Sequence, residues 1–109
     1  MGRYFEENYS LLKQKMGEMA ALVQKVVTSS VEALQTGNLE TARQTVEDDE
    51  LVDRLEIEID ELVLKLLALQ QPMAIDLRFL ITALKINNDL ERMGDQAVNI
   101  AENLLMLKS

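Results

Sequence analysis

Apart from two short breaks, the chain holds almost nothing that stops a helix. Its 109 residues include one proline and four glycines. Only two places read as breaks. Gly37-Asn38 has the form of a helix-terminating glycine followed by an N-cap for the next helix. Gln70-Gln71-Pro72 ends one helix and lets the proline open another at its first turn. The breaks predict three helices, at about residues 5–36, 38–69 and 72–107. At 1.5 Å per residue each would be roughly 45 to 50 Å long.

Apolar spacing supports this division. Phe5, Tyr9, Leu12, Met16, Met19, Val23, Val26, Ser30 and Ala33 alternate in steps of four and three. Val52, Leu55, Ile59, Leu62, Leu66 and Leu69 repeat the pattern. Such a sustained seven-residue repeat belongs to helices packed along their length. The third segment has two apolar lines, one through Leu77, Leu80 and Leu84 and one through Phe79, Ala83, Ile86, Leu90, Met93, Ala97, Ile100 and Leu104. Arg78, Thr82, Lys85, Asp89, Arg92, Gln96, Asn99 and Asn103 form its water face. Two lines on one helix mean two partners. The expected fold is all-α, an antiparallel up-down-up three-helix bundle occupying residues 1–109 as one domain. Three helices leave one side thinly covered, which a fourth helix or a second copy would complete. Met16, Met19 and Met93 sit on apolar lines and read as core filling.

Composition narrows the chemistry. Eleven basic and nineteen acidic residues give a net charge of −8. That opposes binding to nucleic acid or to an anionic membrane surface. Histidine and cysteine are absent, which removes disulfides, thiolate zinc sites, cysteine nucleophiles and imidazole bases or ligands. The longest apolar runs are four residues, against the roughly 20 that a membrane span needs. The first residues contain no apolar secretory segment, so a cytoplasmic location is expected.

What stands out is where some acids fall. Asp49 and Asp53 are four apart, as are Glu91 and Asp95. Residues so spaced share one face of a helix, ~6 Å apart at Cβ. The line Leu77, Leu80, Leu84 runs on through Asn88, Glu91, Asp95 and Val98, so acids replace core residues in mid-helix. On the second helix Glu56 and Asp60 extend the acidic edge. The midpoints of the two pairs, residues 51 and 93, are each 21 residues from Pro72. If helices two and three pair antiparallel about that turn, the pairs meet at one level. Like charges so close raise one another's pKa. The remedies are partial protonation, pairing with Arg54 or Arg92, or cations. All-oxygen donors favour Mg, Ca or Mn, and iron or zinc where carboxylates bridge. Solvated acids with intrahelical salt links are the plainer alternative. Asn88, on the acid line, is expected to hydrogen-bond between helices or to orient a ligand. Gly94, between Glu91 and Asp95, suggests close approach of a neighbour at ~1 kcal/mol cost to the helix.

Two stretches resemble the PhoU family. One runs from Leu67 to Arg78 as LALQQPMAIDLR; the other runs from Leu84 to Glu102 as LKINNDLERMGDQAVNIAE. The resemblance implies a three-helix bundle of PhoU-like or spectrin-repeat-like form, one repeat where members usually carry two in tandem. It implies that the acidic motifs Asp49-x-x-x-Asp53 and Glu91-x-x-x-Asp95 hold metal, with Fe, Zn, Mn or Mg as the ions. It implies no catalysis. It implies a regulator of bacterial phosphate uptake, set between the ATPase of the phosphate ABC transporter (PstB-like) and a sensor histidine kinase (PhoR-like), with starvation signalling off when phosphate is plentiful. A homodimer is the expected assembly. The rival readings are a carboxylate-bundle metal-binding or storage protein and a plain helical oligomerisation module.

Overall fold

The structure, a computed structural model, describes residues 3–70 and 74–108, with side chains over 4–68 and 76–107. Three helices account for it: α1 (Arg3–Thr36), α2 (Leu39–Gln70) and α3 (Ala74–Lys108). Each packs on the other two in a rod 55 × 18 × 16 Å. Cross-helix contacts fix the directions. Lys15 reaches Glu58 and Lys25 reaches Asp48, so α2 descends as α1 rises. The ring of Tyr9 packs on Phe79, 4.8 Å between centroids, so α3 rises beside α1. The bundle is all-α and up-down-up, as the periodicity predicts. The turn around Pro72 and the side chain of Leu69 lie outside the described residues.

The α1–α2 junction follows the local chemistry of its two residues. Gly37 has φ 70°, and its N–H donates to the carbonyl of Ala33 at 2.8 Å, closing the helix end. L-residues with a Cβ reach that φ at a cost of roughly 1–2 kcal/mol, so glycine fits. Asn38 caps α2. Its Oδ1 accepts from the N–H groups of Glu40 at 3.0 Å and Thr41 at 3.2 Å, donors that a helix start otherwise leaves unpaired.

The core is graded along the rod. Toward the Pro72 end it is built from Phe5, Leu12, Ile59, Leu62, Leu66 and Leu80, with Tyr9 and Phe79 against it. At the Gly37 end Ala33, Ala42 and Ala101, one from each helix, are wholly buried with Leu104. Ser30 and Thr45 are buried without loss, because their hydroxyls donate to the carbonyls of Val27 and Thr41 in their own helices. Met19 is wholly buried and Met16 half-buried, as core filling requires. Met93 departs from expectation: it is 47% exposed, because its line on α3 turns outward past Ala97 and Ala83. Among the described residues no helix is long and apolar enough to cross a membrane.

Replacing Asn38 by Ala removes the side-chain acceptor for two N–H groups at the start of α2. The expected loss is ~1 kcal/mol in urea unfolding, with Asn38→Ser or Asn38→Asp retaining most of the stability.

Candidate functional site

The acidic pairs meet where α2 passes α3. Asp49 and Asp95 each lie 23 residues from Pro72, and Asp53 and Glu91 each lie 19 from it. Antiparallel packing about that point brings the levels together. Carboxylate oxygens of Asp49, Asp53 and Asp95 lie within 4.8 Å of one another. Glu91 stands beside them, half-buried, and shares a hydrogen bond with Asp95. Asp53 and Asp95 open to solvent at the rim, while Asp49 is buried.

Two features of the neighbouring helix make room for Asp49. Gly94 has no side chain, and a Cβ there would stand 3.0 Å from Asp49 Oδ1 and 3.3 Å from Val52 Cγ1. The close approach anticipated from the sequence is therefore made by Asp49 and Val52 of α2. Val52 is itself wholly buried, so the carboxylate sits on the shoulder of the apolar core. Asp49 Oδ1 is buried and has no hydrogen-bond partner. Among the described residues the ion pairs are Lys15–Glu58, Lys25–Asp48 and Arg43–Glu40. None reaches the four acids, so the expected pairing with Arg54 or Arg92 is not made.

Electrostatics follow from this crowding. Burial first, then the charges of Asp53, Asp95 and Glu102, push Asp49 up to about 6. Glu91 is pushed up to about 7, first by its hydrogen bond to Asp95, then by burial, then by Asp95, Glu56 and Asp53. Burial, with Asp95 and Glu50, raises Asp53. Burial, with Asp60, Asp53 and Asp95, raises Glu56. Each cause favours the protonated form, and the repulsion among the carboxylates is the one that a cation placed among the oxygens would also relieve.

One level toward the Pro72 end, a polar group joins the helices where the sequence pointed to the wrong asparagine. Asn88 is exposed. Asn87 is wholly buried and donates through Nδ2 to the carbonyl of Glu56 at 3.0 Å and to Asp60 Oδ1 at 3.1 Å. One residue is a turn of about 100° on a helix, enough to exchange core for water. The other surprise is Asp48. The run Glu47-Asp48-Asp49-Glu50 looks like a solvated face, yet its two middle acids are buried on different sides. Asp48 faces α1, accepting from Gln44 at 2.9 Å and pairing with Lys25 at 3.4 Å, while Asp49 faces α3. The basic row Arg78, Lys85 and Arg92 is exposed, as expected of a solvated face.

The donor set is all oxygen and all anionic, with an orphaned buried oxygen at its base. It fits a hard cation, or a bridged iron or zinc centre, better than it fits any organic ligand.

Metal-free protein should carry the cost of these charges above neutrality. The raised carboxylates stabilise the fold fully below their unfolded values of 3.8 and 4.5, and that stability is lost as pH rises through about 6 and about 7. In chelator, thermal melting should fall by roughly 4 °C or more from pH ~5 to ~8, the shift that ~1 kcal/mol makes in a domain of about 100 residues. Asp49→Asn should raise the melting temperature at the upper pH and flatten the profile. At Gly94 the packing contact opposes helix propensity. Gly17→Ala, with nothing within 4 Å, should stabilise by ~0.5–1 kcal/mol, whereas Gly94→Ala should gain nothing or lose stability, as read by chemical denaturation.

Comparison with known proteins places these residues in context. A PhoU domain is matched over residues 16–104. Over 95% of its length the chain is 40% identical to the phosphate-specific transport system accessory protein PhoU homolog 1 of Thermotoga maritima, of which it covers 45%. It is 42% identical, over 87% of its length, to the PhoU homolog of Aquifex aeolicus, and covers 43% of that protein. It is 41% identical, over 96% of its length, to the homolog of Zymomonas mobilis, and covers 44% of it. The chain thus spans less than half the length of the curated relatives it matches.

Proposed function

Since the chain belongs to the PhoU family, we propose that it serves phosphate uptake as a non-catalytic accessory regulator whose protein-binding surface is set by cations held on Asp49, Asp53, Glu91 and Asp95. Likeness to accessory proteins of phosphate-specific transport over nearly the whole chain supports the first half. One observation carries the second: Asp49 Oδ1, buried and without a hydrogen-bond partner, lies with Asp53 and Asp95, and no ion pair among the described residues reaches them.

The proposed action is local and electrostatic. With the site empty, α2 and α3 repel one another where their acids meet. A bound divalent or trivalent ion supplies positive charge there and removes the repulsion. Asp49 provides the buried donor, Asp53 and Asp95 the rim donors. Glu91 gives up the proton it shares with Asp95 and becomes a further donor. The spacing of α2 and α3, and hence the surface they jointly present, then depends on ion occupancy. The partners under this reading are the transporter's cytoplasmic ATPase (PstB-like) and a sensor kinase (PhoR-like), which places the protein in the cytoplasm. Few basic residues cluster in the sequence, so it gives no basis for a phosphate-binding site.

Calorimetric titration with Mn, Mg and Fe tests the cation half, and association with the transporter ATPase, with and without ion, tests the regulatory half. Binding should raise the melting temperature. It should weaken as pH falls below about 6, where Asp49 and Glu91 hold protons against the ion. Asp95→Ala should lower affinity by roughly tenfold or more, the order of a lost charged ligand. Absence of heat and of any melting shift with all three ions would remove the cation from the mechanism.

A further inference from the structure

The face that α2 and α3 present together changes character along the rod. Residues three, four or seven apart share one side of a helix, so the contacts of Asp53 and Asp60 with α3 locate the columns of α2. Asp53 and Asp60 lead in sevens to Leu67, and beside them Glu50 leads to Ile57 and Leu64. On α3, Glu91 leads back to Leu84 and Leu77, and Asp95 to Asn88 and Ile81. All four columns begin with an acid and end, toward Pro72, with an aliphatic residue. The contacts of Gly94 with Val52 and of Asn87 with Asp60 set the register, which carried onward brings Ile81 level with Leu64. This aliphatic half is open to water. Ile57 is 55% exposed, Leu64 59%, Leu77 39% and Ile81 44%, with Leu67 and Leu84 half-buried. Large aliphatic groups exposed side by side and rimmed by polar residues mark an interaction surface.

The acidic half is not satisfied from within. Asp49 is 8% exposed, and its Oδ1 has no hydrogen-bond partner. No ion pair among the described residues reaches Asp49, Asp53, Glu91 or Asp95. Glu50 and Glu102 add their charges at the same place. A cation held by the oxygens that lie within 4.8 Å of one another would leave the aliphatic half uncovered.

We infer that this α2–α3 face is the docking surface for an amphipathic helix of another protein, aliphatic at one end and rich in lysine or arginine at the other. Charge selects the occupant. A second copy of this chain would lay acids on acids or bury them against aliphatic side chains, and either is costly. Nucleic acid and anionic lipid meet the same repulsion. A basic segment gains where carboxylates lack partners, and an aliphatic one gains where Ile57, Leu64, Leu77 and Ile81 leave water. Shape sets the length. From Asp49 to Leu67 the face runs about 27 Å, the span of about 18 helical residues. A helix laid in the furrow between two others is a recurring mode of peptide recognition. The inference gives a place and a partner chemistry to the protein-binding surface of the proposed regulator, and it needs neither the phosphate role nor a bound ion.

The probe is a fluorescent synthetic helix of about 20 residues, with leucine at every third or fourth position of its first half and lysine at those of its second. Its anisotropy is followed against the whole chain in chelator at pH ~8, where the carboxylates are ionised and no ion competes. The outcome is therefore separate from that of the ion titration. Binding at about 10–100 μM is expected, weakening as salt is added. Leu64→Gln and Ile81→Gln, both at exposed positions, should keep the helical circular dichroism of the parent and weaken binding by roughly fivefold or more, as should Asp53→Asn and Asp95→Asn. Met93→Gln, in the groove between α3 and α1, and Glu40→Gln, at the start of α2, should leave it unchanged. A peptide with glutamate for lysine should not bind, and one with the same residues mixed along its length should bind roughly tenfold more weakly. No binding at ~500 μM, equal binding by the mixed peptide, or equal loss from Met93→Gln overturns the inference. Loss from the two Asn variants with both Gln variants silent also overturns it, since lysine would then be drawn to acid without a docking surface.

Discussion

Everything distinctive in this bundle follows from the register of α2 against α3. The two helices meet antiparallel about Pro72, and three unlike contacts hold them at one setting. Asn87 donates to the backbone and side chain of α2 at a buried level. Val52 packs into the space that Gly94 leaves. Apolar layers lie to either side, Ile59 and Leu80 toward one end and Ala42 and Ala101 toward the other. A slip of one residue would rotate each of these away from its partner by about 100°. The register therefore cannot relax to separate the acids, and their repulsion is borne by the packing of the whole rod.

That constraint explains why the carboxylates lie between two states. Fully ionised, they set anionic oxygens within 4.8 Å of one another beside a wholly buried valine. Fully protonated, Asp49 and Glu91 would need a medium more acidic than about 6 or 7. At neutral pH neither extreme is comfortable, and a cation, as proposed, would resolve the conflict without a change of register. The absence of histidine and cysteine decides which cations compete. Soft and imidazole-seeking metals find no preferred donor here, while hard ions find several oxygens at one place.

Much of this could be read in the sequence, and the parts that could not share a cause. The α1–α2 boundary was legible because Gly37-Asn38 is a local signal with a local mechanism. The level at which the acids meet was legible too, since two antiparallel helices joined by a short turn keep equal distances from it. Side-to-side placement was harder. Apolar spacing fixes a stripe about 100° wide, which is the rotation of a single residue. Asn87 and Asn88 therefore exchange core and solvent without disturbing the pattern, and Met93 falls on an apolar line yet faces out. Asp48 shows the same limit: only α1 and its Lys25 explain why the second acid of a run is buried. Pairings between helices depend on which neighbour lies to the left or right, and a single helix's period does not contain that information.

α3 is the element on which both proposals converge. Glu91 and Asp95 face α2, and Met93, two residues from each, lines the groove beside α1. A helix moves as a rigid body over a few turns, because its own hydrogen bonds resist local distortion far more than packed side chains resist sliding. Under the proposed cation reading, neutralising the acids would let α3 settle toward α2. The same displacement would shift Leu77 and Ile81 on the docking face and Met93 at the groove beside α1. The coupling needs no chain of intermediate contacts, since one helix carries all of these residues. It is also reciprocal: a partner seated on the α2–α3 face and favouring one position of α3 must alter the affinity of the acids for their ion by the same factor.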